Sequence, residues 1–420
     1  MSVPDGAPVG ERMPRVVVTG LGVLTALGDS PEALHAALCE GRGGLQPVDW
    51  AENGAMPPRL AGRVDFDPKT YLGDGNLRPL DRTGRLAVAA SGLALEAAGW
   101  TAEMRRETEV GLVLGTMFGS VHTISGFDRR AMEAGPNYAK PMEFANSVIN
   151  AAAGQTAIWH DLWGINATIS GGTASGAQAI AYAADLIRTG RAAALLAGGV
   201  EELCFESVHG FDRAGLLYDP AAGDGAPAAP YDARRSGFAL AEGAAFLMLE
   251  EAGAAAARGA DVLAEIRGQG DAFDGSRGRD EDSRAAALAR SVAAALERAG
   301  TEPAELVCAS LAGNGSPAGD RCEARGLALA LGETTADLPA VAIKSMLGES
   351  LGASGALQAV VAIQSLLSGV LPGTAGLERP EDGLPLARIG PAGATIGRGC
   401  GLVTGPGLEG SSCSLVIEVV

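Results

Sequence analysis

Histidine is almost missing from this 420-residue chain: His35, His122, His160 and His209 are the whole complement, and none follows residue 209. A mechanism that needs an imidazole in the second half is thereby excluded. The six cysteines, Cys39, Cys204, Cys308, Cys322, Cys400 and Cys413, form no CxxC pair and no His/Cys cluster. That spacing argues against a zinc site or a disulfide framework, and they read as reduced thiols, several of them in the core. Lys and Arg are not clustered, and 32 of them against 50 Asp and Glu leave a formal charge of −18. Phosphate binding needs concentrated positive charge, so nucleic acid is not an expected partner. No uninterrupted apolar stretch approaches the roughly twenty residues that cross a bilayer, and residues 1–14 read as a flexible leader without an apolar targeting segment. The expectation is a cytoplasmic protein with no membrane, metal or cofactor partner.

What is present is enough apolar material, 47% of residues, for two ordinary domains or one large duplicated one. Residues 15–19 are a β-branched run ending in Gly20, and Ser30-Pro31-Glu32 has the cap and first-turn proline of a helix start. Residues 85–99 read as an alanine-rich helix closed by glycine, and 109–115 as a buried strand. Strands alternating with helices predict a layered α/β fold. The turn Gly20-Leu21-Gly22 lacks the third glycine of a dinucleotide fingerprint, so nucleotide binding is not expected from it.

An internal repeat organises the chain. Ala174-Ser175-Gly176-Ala177 opens an apolar helix ending at Gly190, and Ala353-Ser354-Gly355-Ala356 opens another of equal length ending at Gly369. Each copy follows a predicted strand, 166–170 and 341–345, so two strand-to-helix turns are expected to face each other across one pocket. Residues 218–235, rich in Pro, Gly, Ala and Asp, predict a surface loop between the halves. The division expected is a first half over 15–255 and a second over 256–420.

These segments, in this order, resemble the β-ketoacyl-ACP synthases. The motifs that carry the resemblance are Val18-Thr19-Gly20-Leu21-Gly22, Ala197-Gly198-Gly199, Gly237-Phe238 with Glu242-Gly243, Gly313 through Asp320, and Lys344-Ser345 with Gly348 followed by Gly352-Ala353-Ser354-Gly355. The resemblance implies a duplicated thiolase-like fold, layered α-β-α-β-α in two pseudo-symmetric halves. In active members a cysteine sits in a T-A-C-A-S-G turn at a helix N-terminus that favours the thiolate; here that position is Thr173. The histidine of the H-G-T-G-T-P motif corresponds to Ala312, and the one after K-S-x-x-G corresponds to Glu349. A hydroxyl is a weak nucleophile without a base, and a carboxylate opposes the enolate formed on decarboxylation. The expectation drawn is that no catalytic residue remains and that the chain is not an enzyme on its own. Glu242, Asp320, Glu323 and Lys344 stay in register and are expected to form a buried polar network that holds loops. The C-terminal loop, Thr404 through Ser412, lacks the family's gating phenylalanines.

Among such copies the sequence resembles the chain length factors of bacterial type II polyketide synthases, which pair with an active ketosynthase as a heterodimer and meet acyl carrier protein through that complex. The resemblance assigns residues 116–127 to a tunnel wall, with Val121, Ile124 and Ser125 as depth-setting candidates. An equal alternative is that they face the core or the solvent side of a helix. Two other functions stay open: a repurposed acyl-carrier enzyme using Thr173, Glu349 or Lys344, and a self-associating scaffold for acyl carriers.

Overall fold

The computed structural model describes residues 13–50, 56–220, 228–276 and 279–420. The leader expected over 1–14 therefore lies almost entirely outside the described residues.

Ten strands make one mixed sheet in two topologically equal halves. The first half holds β1 (Val16–Leu24), β2 (Gly111–Gly115), β3 (Asn166–Ile169), β4 (Ala194–Glu201) and β5 (Gly243–Glu251). The second holds β6 (Ala264–Phe273), β7 (Leu306–Ser310), β8 (Ala340–Val341), β9 (Cys400–Pro406) and β10 (Ser411–Val419). The spatial order is β8-β7-β9-β10-β6-β1-β5-β4-β2-β3. Counted outward from the middle, each half runs first, fifth, fourth, second, third strand, with the same pattern of parallel and antiparallel pairs. The halves meet where β1 and β6 pair antiparallel, Val17 with Glu265 and Val18 with Ala264.

Helix α1 (Arg82–Ala97) covers the outside of the first half, α2 (Val121–Ala134) follows β2, and α3 (Ser175–Arg188) follows β3. Helix α4 (Glu281–Ala299) covers the outside of the second half; α5 (Pro317–Leu331) packs against α4, and α6 (Ser354–Ser368) lies in the interior. Helices α3 and α6 run between the two halves of the sheet and touch each other, which completes the α-β-α-β-α layering. The stretch Leu351–Ser368 has the length and hydropathy to cross a membrane, but 83% of it is buried inside the fold; its all-round apolarity is that of a core helix. The two repeat turns interlock through their glycines. A Cβ on Gly176 would lie 2.6 Å from the Gly352 carbonyl oxygen, and one on Gly355 2.7 Å from the Ala177 nitrogen, so close backbone approach fixes glycine at both positions.

Two local expectations are corrected. Of residues 341–345 only Val341 belongs to a strand; Lys344–Leu347 form a helical turn. The expected surface loop over 218–235 has Asp219 and Pro220 exposed but turns inward over 228–232, where Tyr231 and Asp232 are fully buried. Asp232 anchors this inward stretch by accepting hydrogen bonds from the backbone of Arg234, Glu378 and Arg379.

Candidate functional site

A cavity of about 20 Å³ lies where the two repeat turns meet, lined among others by Thr173, Arg284, Ala312, Asn314, Lys344, Glu349 and Leu408. That is room for one water molecule. Thr173 reaches it from the 3₁₀ turn Gly172–Ala174 that leads into α3, so its hydroxyl lies at the positive end of that helix. The turn between β9 and β10 closes the site from above: the Leu408 amide donates to Thr173 Oγ1 at 3.3 Å. The Glu409 carboxylate lies so close to Gly172 that a Cβ there would meet it at about 2 Å, and Gly172 has φ +74°.

Glu349 is the best-satisfied acid in the site. Its Oε2 accepts from Lys344 Nζ at 2.8 Å and Asn314 Nδ2 at 2.9 Å; its Oε1 accepts from Ser354 Oγ at 2.7 Å and the Leu351 amide at 3.0 Å. Lys344 and Glu349 are 5% and 1% exposed, a desolvated ion pair in which the carboxylate accepts from four donors. Behind it, Asp320 accepts from the amides of Tyr231 and Asn314 and lies 3.1 Å from the Arg235 guanidinium. Burial raises its carboxyl to about 6, with Glu323 adding to the rise, while the amides and Arg235 oppose it. Glu323 accepts from the Tyr231 hydroxyl at 2.6 Å, from the Ala312 amide at 2.8 Å and from Thr404. The described end of the 218–235 segment is thus tied to the helix start at Pro317.

Among the sequence candidates, Thr173, Ala312, Glu349, Asp320, Glu323 and Lys344 converge on this cavity. Glu242 stands apart: it accepts two bonds from Arg82, at 2.6 and 2.5 Å, and one each from the Val64 and Leu203 amides. Val121, Ile124 and Ser125 lie on α2, all half-buried, and none lines the cavity at Thr173. Arg284, Arg235 and Tyr231 were not singled out from the sequence. Nothing local marks them, because each reaches the site from another part of the fold. Asn314 and Leu408 sit inside motifs that were read, and only the geometry shows what they contact. Among the described residues no group of three His, Cys, Asp or Glu side chains is placed to hold a metal ion.

Comparison with known proteins supplies the kinship of this site. The family "Beta-ketoacyl synthase, N-terminal domain" matches residues 13–255, and "Beta-ketoacyl synthase, C-terminal domain" matches 263–378. The chain is 33% identical over 376 residues, 88% of its length and 90% of the relative, to the 3-oxoacyl-[acyl-carrier-protein] synthase 2 of Vibrio cholerae. It is 32% identical over 391 residues, 87% and 88% of the two chains, to the tetracenomycin polyketide synthase ketoacyl synthase alpha subunit of Streptomyces glaucescens. A solved structure described as the ishigamide ketosynthase/chain length factor superposes with a TM-score of 0.88 at 28% identity, over 97% of this chain and 100% of that one.

These relatives overturn one expectation. Five proteins named 3-oxoacyl-[acyl-carrier-protein] synthase 2 are 31–33% identical across 87–97% of this chain, so the inference that it is not an enzyme on its own is withdrawn. Residue types at three motif positions were too narrow a basis. The cavity also brings together Lys344, Arg284, Asn314 and the Thr173 hydroxyl at a helix N-terminus, groups able to donate to a developing oxyanion.

Proposed function

The chain belongs to the β-ketoacyl synthase family, and from that premise we propose that it acts as a chain length factor-type subunit of a type II polyketide synthase. In this reading it pairs with an active ketosynthase, supports condensation of malonyl units on acyl carrier protein, and limits chain growth through the α2 segment at Val121, Ile124 and Ser125. It works in the cytoplasm.

The observation that carries the reading is an unfinished surface beside β3. Strand β3 pairs with β2 on one side and has no neighbour on the other in the sheet order, and an open strand edge is a template for pairing. Among the described residues, eight of the fifteen exposed large apolar side chains fall within 132–163, immediately before that strand, among them Tyr138, Met142, Phe144, Ile158 and Trp163. An apolar area of this kind, next to an open edge, fits a permanent interface better than free solvent. The same stretch contains the end of α2, so a partner seated there would adjoin the segment assigned to chain length.

The test is co-expression with an active ketosynthase, followed by mass analysis of the purified complex and of the products made from malonyl-acyl carrier protein. A one-to-one complex whose product shortens with Val121→Phe or Ile124→Phe supports the proposal. A second reading, a stand-alone acyl-carrier enzyme, is favoured by the convergence of Thr173, Lys344 and Glu349 on one cavity. It replaces the first if the chain stays apart from the ketosynthase and alone turns over an acyl carrier substrate, with loss in Thr173→Ala or Glu349→Ala.

A further inference from the structure

Helix α2 is held in an unusual way. None of its fourteen residues is fully buried, and its N-cap, Ser120, makes no side-chain capping bond. A helix with so little apolar anchorage depends on polar contacts for its position. Its side chains Thr123 and His122 meet Asp81 and Glu206, at 3.1 and 3.0 Å, while the backbone at its start is held from the end of β4. Glu201 accepts from the Met117 amide at 2.7 Å, the Phe118 amide at 2.9 Å and the Thr116 hydroxyl at 3.3 Å, and also from the Gly352 amide at 3.0 Å in the turn before α6. Glu202 accepts from the His122 amide at 3.1 Å, the role that an N-cap side chain usually fills. Two adjacent carboxylates thus take up donors at both ends of the connection from β2 to α2, and one of them joins that connection to the second half of the molecule.

We infer that Glu201 and Glu202 are the positioning residues of segment 116–125: their carboxylates hold the backbone at the start of α2 and so fix where Val121, Ile124 and Ser125 stand. The consequence for products rests on the proposed reading that this segment borders the growing chain. Among the described residues no cation lies against Glu201; its partners are three amides and a hydroxyl. Glu202 is faced by Asp81, Arg82, His122, Thr83 and Cys204. Burial raises both carboxyls to about 7; Asp81 adds to the rise at Glu202, and the amide hydrogen bonds oppose it at both. Burial outweighs these bonds, so the protonated forms fit the closed clamp better and ionisation as pH rises through neutrality loosens it.

The experiment uses the co-expressed pair, with the subunit as wild type, Glu201→Gln or Glu202→Gln. Amide hydrogen exchange over 116–125 and the product-length distribution from malonyl-acyl carrier protein are read at about pH 6 and about pH 8. Loss of one charged hydrogen-bond acceptor corresponds to about a tenfold rise in exchange. That rise is expected in Glu201→Gln at both pH values and in the wild type at the higher one, after correction for intrinsic exchange, with products spread over more lengths. Should Glu201→Gln fail to fold, Glu202→Gln and the wild-type pH comparison carry the test. Unchanged exchange in both variants and at both pH values overturns the inference. Raised exchange with an unaltered product distribution upholds the positioning role and removes the chain-length reading instead.

Discussion

At the scale of the residue, the Lys344–Glu349 pair concentrates the largest single risk. With four donors around one carboxylate and both side chains out of water, truncating Glu349 leaves an ammonium without its counter-charge. Glu349→Ala is expected to cost about 3–5 kcal/mol in chemical denaturation, whereas the double change Lys344→Met with Glu349→Gln should cost less. Equal losses in the two variants would show that the pair is not coupled. The buried acids also set a pH dependence. Glu201 and Glu202 rise to about 7 and Asp320 to about 6. A carboxyl raised on folding contributes stability that is complete below its unfolded value, here 4.5 or 3.8, and is lost as pH rises through the folded value. The melting temperature should therefore fall between about pH 5 and about pH 8, and Glu201→Gln should flatten that fall. Asp232 runs the other way: its partners, the Arg234 side chain first among them, hold its carboxyl far below the usual range against the effect of burial, so its contribution disappears only in strong acid. A melting temperature that climbs steadily from pH 5 to pH 8 would contradict these assignments.

At the scale of the element, α3 and α6 decide whether the halves register. Their contact leaves no room for a side chain at Gly176 or Gly355, so Gly355→Val must separate the helices or shift the turn. Overpacking of this kind costs about 1–3 kcal/mol, occasionally more. Because Lys344 through Ser354 share the displaced turn, the binding of acyl carrier substrate expected under the proposed function should weaken along with stability, which calorimetric unfolding and a binding titration on the same preparation would separate. Gly300, exposed past the end of α4 at φ +61° with open space where a Cβ would stand, provides the control. A change to Asn there should leave both quantities nearly untouched, since Asn tolerates the left-handed region.

At the scale of the molecule, the asymmetry of the surface matters more than the net charge. Apolar side chains are gathered over 132–163 beside the open edge of β3, while the opposite edge strand, β8, is only two residues long and buried. If the first face is the pairing surface, Ile158→Glu with Trp163→Glu should abolish the complex with a ketosynthase and leave the isolated subunit folded. Both side chains are already 75% and 68% exposed, so the change costs little in the free chain. Size-exclusion chromatography and circular dichroism of the double variant would report the two outcomes separately. A complex that survives the double charge would move the interface elsewhere.

The sequence by itself determined the duplicated layered fold, because hydrophobic periodicity, glycine placement and the two Ala-Ser-Gly-Ala helix starts are local signals that survive in one dimension. It also brought Thr173, Ala312, Glu349, Asp320, Glu323 and Lys344 to attention through motifs, and these do converge. It misjudged activity, because three motif positions do not contain the whole donor set of the cavity. Arg284 arrives from α4, and the Leu408 amide from a hairpin more than two hundred residues downstream of Thr173. Only the tertiary structure decided the four donors on Glu349, the inward path of Tyr231 and Asp232, and the Glu201–Glu202 hold on α2. Each joins residues far apart along the chain, and the strength of a buried charge depends on what the fold places beside it and on the water it removes.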